Sequence, residues 1–154
     1  MSGDFDQRLA ELGLSLPDAP APAANYVPYV VVGNTVYVSG QVSMNADGMI
    51  KGKVGADLTA EEGAEAARTC ALALLAQAKK ACGGDISRLK RVVKLTGFVN
   101  STPEFGDQPK VVNGASDLFV ALLGDAGRHA RSAVSAGALP FNVAVEIEGV
   151  FEIE

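Results

Sequence analysis

The carboxy-terminal segment alternates between apolar and acidic residues, and this pattern limits the fold more than any other feature of the chain. Apolar residues such as Val145, Ile147 and Phe151 are interleaved with Glu146 and Glu148. A period of two residues is typical of a β-strand whose two faces meet different surroundings. The sequence therefore predicts a strand at residues 143–153 with one face turned to the core.

Two long helical segments can cover that face. Thr59 and Glu62 form a capping box at the start of the first helix, in which hydroxyl and carboxylate satisfy free backbone amides reciprocally. Gly83 and Gly84 end it. Its buried stripe is predicted from residues at helical spacing: Ala64, Ala67, Ala71, Leu74, Leu75, Ala78 and Cys82. A second long helix is predicted at 109–127 and a short one at 5–14.

The remaining apolar segments read as strands. Two lie around the turn dipeptide Gly33-Asn34, one covers 91–100, and two joined by a short turn cover 127–154. Residues 43–58 read as a loop with a short hairpin. Hairpins at both ends exclude a purely parallel doubly wound sheet and favour an α+β fold, with two long helices on one face of a mixed sheet.

The chain is expected to hold one folded domain at 26–154, preceded by a helix and a proline-rich arm at 1–25. The strand segments "YVVV" and "VYV" are apolar on both sides. One side can meet the helices, but no third long helix exists to cover the other. A partner subunit would cover it, so we expect an oligomer.

Composition excludes several classes of function. The net charge is −5 and no basic patch appears, so a nucleic-acid surface is not expected. No apolar run approaches the roughly 20 residues of a membrane span, and the amino terminus lacks the apolar segment of a signal peptide. Cys70 and Cys82 are predicted to be buried thiols in a reducing cytosol. We therefore expect a cytoplasmic protein.

Local motifs for common catalytic chemistries are absent from the sequence. His129 is the one histidine, and no cluster of ligand residues suggests a metal. A single histidine beside Gly and Arg is more often a loop or edge residue than a catalyst. No nucleophile elbow or phosphate-binding glycine loop occurs. Neither a metal nor an organic cofactor is expected.

One set of separated segments does carry a specific signal. Arg131-Ser132 is followed by Leu139-Pro140 and by "VEIE" at 145–148, and upstream lie "PYV" at 28–30, "VSGQV" at 38–42, "GFVN" at 97–100 and Asn113. In this order the segments resemble the RidA family, also called YjgF or L-PSP-like proteins. The resemblance covers roughly residues 26 to 153.

The resemblance implies a chorismate-mutase-like fold and a homotrimer with sites in the clefts between subunits. It implies hydrolysis of reactive 2-imino acids and enamines, such as 2-aminoacrylate, to 2-keto acids and ammonia. In that activity Arg131 would bind the substrate carboxylate and Glu146 would position or activate water. The pocket wall would contain Tyr29, Ser39, Gly40, Asn113 and Ala133.

This chemistry is reasonable for the residues themselves. A guanidinium can grip a planar carboxylate with two parallel hydrogen bonds. An imine carbon then needs only a positioned water and a proton shuttle, which one carboxylate can supply. Taken singly, an arginine at a strand start and a glutamate in an alternating strand are usually surface residues, so only the joint pattern supports the assignment.

Two departures from the family pattern concern the pocket wall. Ala133 stands where many members carry a cysteine, and Ser116 stands where a tyrosine is often found. These departures change the pocket wall, and so the choice of substrate, but leave the carboxylate anchor in place. A non-catalytic sensor of 2-keto acids would need Arg131 but not Glu146. A ribonuclease, an activity ascribed to some relatives, is disfavoured by the acidic charge.

Overall fold

The computed structural model describes residues 2–22 and 24–154 and contains an α+β fold. The helices are α1 (Ser2–Glu11), α2 (Ala60–Ala81) and α3 (Gln108–Leu123). The strands are β1 (Tyr29–Val32), β2 (Thr35–Val42), β3 (Met44–Asn45), β4 (Gly48–Met49), β5 (Leu89–Asn100), β6 (Ala130–Ala136) and β7 (Val145–Ile153). The mixed sheet with two long helices is the predicted fold class.

The order of the large sheet is β1-β2-β7-β5-β6. Only β5 and β6 run parallel, and α3 connects them. The predicted carboxy-terminal hairpin is wrong, because β5 lies between β6 and β7. The reason is burial: β7 buries every second residue and takes the central position, whereas β6 is largely exposed and pairs with one neighbour only.

The predicted local signals for α2 and the hairpins are confirmed. Thr59 and Glu62 form both hydrogen bonds of the capping box. Gly33-Asn34 connects β1 to β2, and β3 pairs with β4 in the loop. Every member of the predicted α2 stripe is buried except Ala64, which is half-buried. Gly83 and Gly84 follow the helix with positive φ angles.

The other helix boundaries differ from the sequence-based ones. Helix α1 lies three residues earlier than expected and is followed by Gly13 with φ of 69°. Helix α3 ends at Leu123, and residues 124–127 form a 3₁₀ turn that the predicted helix included. Phe5 and Leu9 of α1 are buried in the same core as α2 and α3. The amino-terminal helix is thus packed on the body of the protein.

The face of the sheet opposite the helices exposes apolar side chains. Val32 is 61% exposed, Tyr37 52% and Val134 44%, and all three lie on this helix-free face. On the other face, Val36 and Ile147 are fully buried. Apolar side chains exposed together on one face of a sheet are typical of interaction surfaces. Within the described ranges, no helix is long and apolar enough to cross a membrane.

Candidate functional site at the sheet edge

Arg131 lies on the edge strand β6 and turns toward α3. Its register partner in the parallel β5–β6 ladder is Leu95, which is fully buried under the helices. Parallel partners point to the same side of a sheet, so Arg131 shares the helix-covered face. Ala133, two residues on, has Gly97 as its partner and packs against the core. The guanidinium therefore lies in the groove between β6 and α3.

Two side chains of α3 hold one nitrogen of this guanidinium. Arg131 Nη1 donates to Asn113 Oδ1 at 2.7 Å and to Ser116 Oγ at 3.1 Å. Asn113 and Ser116 are three residues apart and so lie on one side of the helix. Both hydrogens of Nη1 are thereby used. In the described part of the chain no group accepts a hydrogen bond from Nε or Nη2, so that edge can meet a ligand.

Ser116 also connects the guanidinium to the histidine. Ser116 Oγ lies 2.9 Å from His129 Nε2, and His129 Nδ1 lies 2.6 Å from the carbonyl oxygen of Gly127. His129 is in the loop before β6, as expected, but it is half-buried and hydrogen-bonded at both nitrogens. The contact with Ser116 could not be predicted from a local motif, because 13 residues separate the two positions.

Glu146 lies on the opposite face of the sheet. It pairs with Val42 on β2 and with Phe98 on β5. The carboxylate rests on Gly40, where an added Cβ atom would collide with it. Burial, and to a smaller extent the charge of Glu148, raise the pKa of Glu146. A half-buried carboxylate with a raised pKa is suited to accept and return a proton.

Three other predicted pocket residues lie at the end of the sheet formed by β1 and β2. Ser39 and Gly40 form an irregularity in β2, where the register with β7 shifts between Val38 and Gln41. Ser39 Oγ donates to the carbonyl oxygen of Val27 at 2.7 Å and so ties β2 to the segment before β1. Tyr29 opens β1 opposite Val38 and is half-buried. These residues adjoin the β1–β2–β7 end of the sheet.

The structure thus separates the predicted residues into two groups. Arg131, Asn113 and Ala133 lie between α3 and β6, whereas Glu146 lies two strands away on the opposite face. Two strands correspond to about 10 Å across the sheet, before the divergence of the side chains is added. One chain does not bring Arg131 and Glu146 together.

Comparison with known proteins identifies the class of molecule. Residues 6–151 match the family described as "YjgF/chorismate mutase-like, putative endoribonuclease". The protein TCP17 of Trypanosoma cruzi is 49% identical over 154 residues, covering 99% of this chain and 96% of TCP17. A 2-iminobutanoate/2-iminopropanoate deaminase of Dermatophagoides farinae is 33% identical over 143 residues, covering 92% and 95%.

A crystal structure agrees with the sequence comparison. A protein of unknown function from Agrobacterium tumefaciens superposes with a TM-score of 0.93 at 48% identity, covering 99% of this chain and 94% of that one. The chain belongs to the YjgF/RidA family. The family resemblance expected from the separated sequence segments is confirmed.

Proposed function

We propose that the protein hydrolyses small 2-imino acids and their enamine tautomers to 2-keto acids and ammonia. The observation that carries the proposal is the guanidinium of Arg131, whose Nη1 is fixed on α3 while its Nε/Nη2 edge has no hydrogen-bond partner among the described residues. Such an edge accepts the two oxygens of a planar carboxylate. A 2-imino acid presents that carboxylate next to the carbon that water must attack.

Glu146 supplies the second function that the reaction needs. In the proposed mechanism its carboxylate accepts a proton from water as the oxygen bonds to the C=N carbon. It then returns the proton to the nitrogen, which gives a carbinolamine. A second transfer through the same carboxylate moves the hydroxyl proton to the nitrogen, so that the C–N bond breaks and ammonia leaves as the carbonyl forms. The raised pKa of Glu146 brings its proton affinity closer to neutral pH, where such a shuttle works best. No redox step is involved.

A complete site requires a second copy of the chain. Arg131 and Glu146 lie on opposite faces of one sheet, so a cleft that holds both must form between two subunits. The exposed apolar residues of the helix-free face, including Val32, Tyr37 and Val134, offer the surface for this contact. We propose a homotrimer, in which each of three equal contacts forms one cleft.

Substitution of Arg131 tests the proposal. Arg131→Lys keeps the charge but loses the planar two-point grip on a carboxylate. Catalytic efficiency toward imines generated in situ by an amino-acid oxidase should fall by about 10- to 100-fold, as expected for losing a hydrogen bond to a charged group. Arg128→Lys is the matched control, because Arg128 is exposed and pairs with Asp125.

The assay also separates the proposal from its alternative. Imine hydrolysis that is unchanged in Arg131→Lys would remove Arg131 from the site. Wild-type protein that binds pyruvate in calorimetry but hydrolyses no imine above the buffer rate would instead indicate a 2-keto acid sensor. In that case the cleft and Arg131 would keep their role in binding the ligand, but Glu146 would have no catalytic role.

A further inference from the structure

A chain of three hydrogen bonds extends behind the guanidinium of Arg131. It runs from Arg131 Nη1 to Ser116 Oγ (3.1 Å), from Ser116 Oγ to His129 Nε2 (2.9 Å) and from His129 Nδ1 to the Gly127 carbonyl oxygen (2.6 Å). The chain connects β6, α3 and the 3₁₀ turn at 124–127. The proposed reaction makes no direct use of Ser116 or His129.

The chemistry of the groups fixes the direction of every bond. A carbonyl oxygen can only accept, so His129 Nδ1 must carry the hydrogen and donate to Gly127. In the neutral imidazole, Nε2 is then an acceptor, and the Ser116 hydroxyl donates to it. The lone pairs of Ser116 Oγ are left to accept from Arg131. Each donor meets one acceptor, and the neutral form of His129 is the one that fits.

The surroundings of His129 favour that neutral form. Burial, followed by the charge of Arg131, lowers the pKa of His129, although the hydrogen bond to Gly127 acts in the opposite sense. The ring of Phe119 meets the imidazole edge-on, with 6.0 Å between ring centroids. His129 is therefore held on one side by an apolar ring of α3.

The other charged groups near His129 point elsewhere. On the 3₁₀ turn and the residue after it, Asp125 and Arg128 form an exposed ion pair with each other. On β5, Lys94 is the partner of Ala130 and lies on the helix-free face, and Arg91 Nη2 donates to the carbonyl oxygen of Arg128 at 2.6 Å. The charge of α3 nearest in sequence is Asp117, which is exposed. Arg131 is thus the charge that a protonated His129 would oppose.

We propose that His129 and Ser116 are positioning residues, which hold Arg131 so that its Nε/Nη2 edge faces the ligand carboxylate. This inference rests on the proposed role of Arg131 as the carboxylate anchor. Without the Ser116 hydroxyl, Asn113 alone would hold Nη1, and the guanidinium could rotate about its last side-chain bonds. Ligand binding would then have to restrict this rotation, which lowers affinity.

Protonation of His129 would reverse one bond in this relay of three hydrogen bonds. Nε2 would become a donor to Ser116 Oγ, which also accepts from Arg131, and the Ser116 hydroxyl hydrogen would lose its acceptor. Two positive charges would also come to lie on either side of one hydroxyl. Binding that depends on the relay should therefore weaken as the pH falls through the lowered pKa of His129, below 6.5.

Matched substitutions at Ser116 test the positioning role. Ser116→Ala should weaken pyruvate binding by about fivefold, the effect of one net hydrogen bond, with an unchanged melting temperature. Ser116→Thr keeps the hydroxyl and should restore the affinity. Equal affinity in Ser116→Ala and the wild type overturns the inference. So does a Thr variant that folds but binds as weakly as the Ala variant.

Substitutions at His129 supply a readout that a purely structural role would not change. His129→Gln keeps an acceptor for Ser116 but cannot titrate, whereas His129→Leu removes the acceptor. The affinity for pyruvate is measured from pH 5 to pH 8 for both proteins. Toward acidic pH the affinity of the wild type should fall further than that of His129→Gln. Titration of Glu146 affects both proteins and cancels in the ratio. The relay is overturned if the pH profiles of affinity run parallel for the two proteins, or if the wild type binds pyruvate more strongly than His129→Gln at acidic pH.

The tautomer can be observed without any ligand. The chain has one histidine, so its imidazole ¹⁵N resonances are unambiguous. At pH 8 they should show a protonated Nδ1 and an unprotonated Nε2. The opposite tautomer contradicts the relay directly.

Arg131→Lys distinguishes a failure of the proposed function from a failure of the positioning role of Ser116 and His129. Pyruvate binding that survives in Arg131→Lys, or is absent from the wild type, overturns the proposed function and the relay together. Binding that is lost in Arg131→Lys but unaffected at Ser116 and His129 overturns the relay alone.

Discussion

At the scale of single residues, the environment of Glu146 separates it from the other glutamates of β7. Glu148 is exposed, whereas Glu146 is half-buried against Gly40 and has a raised pKa. Glycine at position 40 allows the carboxylate to lie against the backbone of β2. The alternating sequence alone could not rank these glutamates, because burial on the second face of a strand depends on its neighbours.

Glu146→Gln should separate binding from catalysis. Glutamine keeps the shape but cannot accept a proton at neutral pH. We expect imine hydrolysis to fall by about 100-fold or more, the range for losing a general base. Pyruvate affinity should hold or rise, since a negative charge near the ligand is removed. Equal hydrolysis by the variant and the wild type would show that water is activated elsewhere.

The same substitution should change stability in a pH-dependent way. A carboxyl group whose folded-state pKa is raised destabilises the fold once it ionises, so its cost appears as the pH rises above the ordinary value of 4.5 and through the raised value. Glu146→Gln should therefore melt at a higher temperature than the wild type at pH 7. The difference should vanish below about pH 4. Thermal denaturation at both pH values measures this, and Glu65→Gln, at an exposed position on α2, is the control.

At the scale of secondary-structure elements, the contact between α2 and α3 depends on a close approach at Gly114. A Cβ atom at this position would collide with the backbone carbonyl of Ala64. Backbone atoms cannot move aside as a flexible side chain can. Gly114→Ala should therefore lower the free energy of unfolding by about 1–3 kcal/mol, despite the better helix propensity of alanine.

A second glycine of the same helix pair provides the comparison. A Cβ atom at Gly63 would meet methyl groups of Val111 and Val54 at 3.1 Å. Side chains can adjust by a few tenths of an ångström, so Gly63→Ala should cost less than Gly114→Ala. Urea denaturation of both variants gives the two values. If Gly63→Ala lost more free energy of unfolding than Gly114→Ala, the close contact of α2 and α3 at Gly114 would be contradicted.

The elements show what a sequence can and cannot predict. The capping box at Thr59, the Gly33-Asn34 turn and the alternation of β7 are local, and each was predicted correctly. The order of strands in the sheet was not predicted correctly, because an alternating sequence indicates which face of a strand is buried but not which strand pairs with it. Likewise, Arg131 could be recognised from its motif, whereas the Ser116–His129 contact depends on how α3 packs on β6.

At the scale of the whole molecule, the separation of Arg131 from Glu146 makes a direct prediction about assembly. In a homotrimer each cleft would take its arginine from one chain and its glutamate from the neighbour. A wild-type mass of 15.8 kDa in light scattering, equal to one chain, would contradict the trimer. Charge placed on the helix-free face, as in Tyr37→Glu, should shift the protein to monomers and abolish activity.

Mixing two variants of strongly reduced activity tests the shared cleft more sharply. Arg131→Lys chains still carry Glu146, and Glu146→Gln chains still carry Arg131. Co-refolded in equal amounts, they should form trimers in which about a quarter of the clefts combine a native arginine with a native glutamate. Activity should therefore return to about a quarter of the wild-type value, since native clefts act independently. Each variant refolded alone, and the double variant mixed with wild type, serve as controls. If both residues of a site came from one chain, no mixture of the two single variants could regain activity.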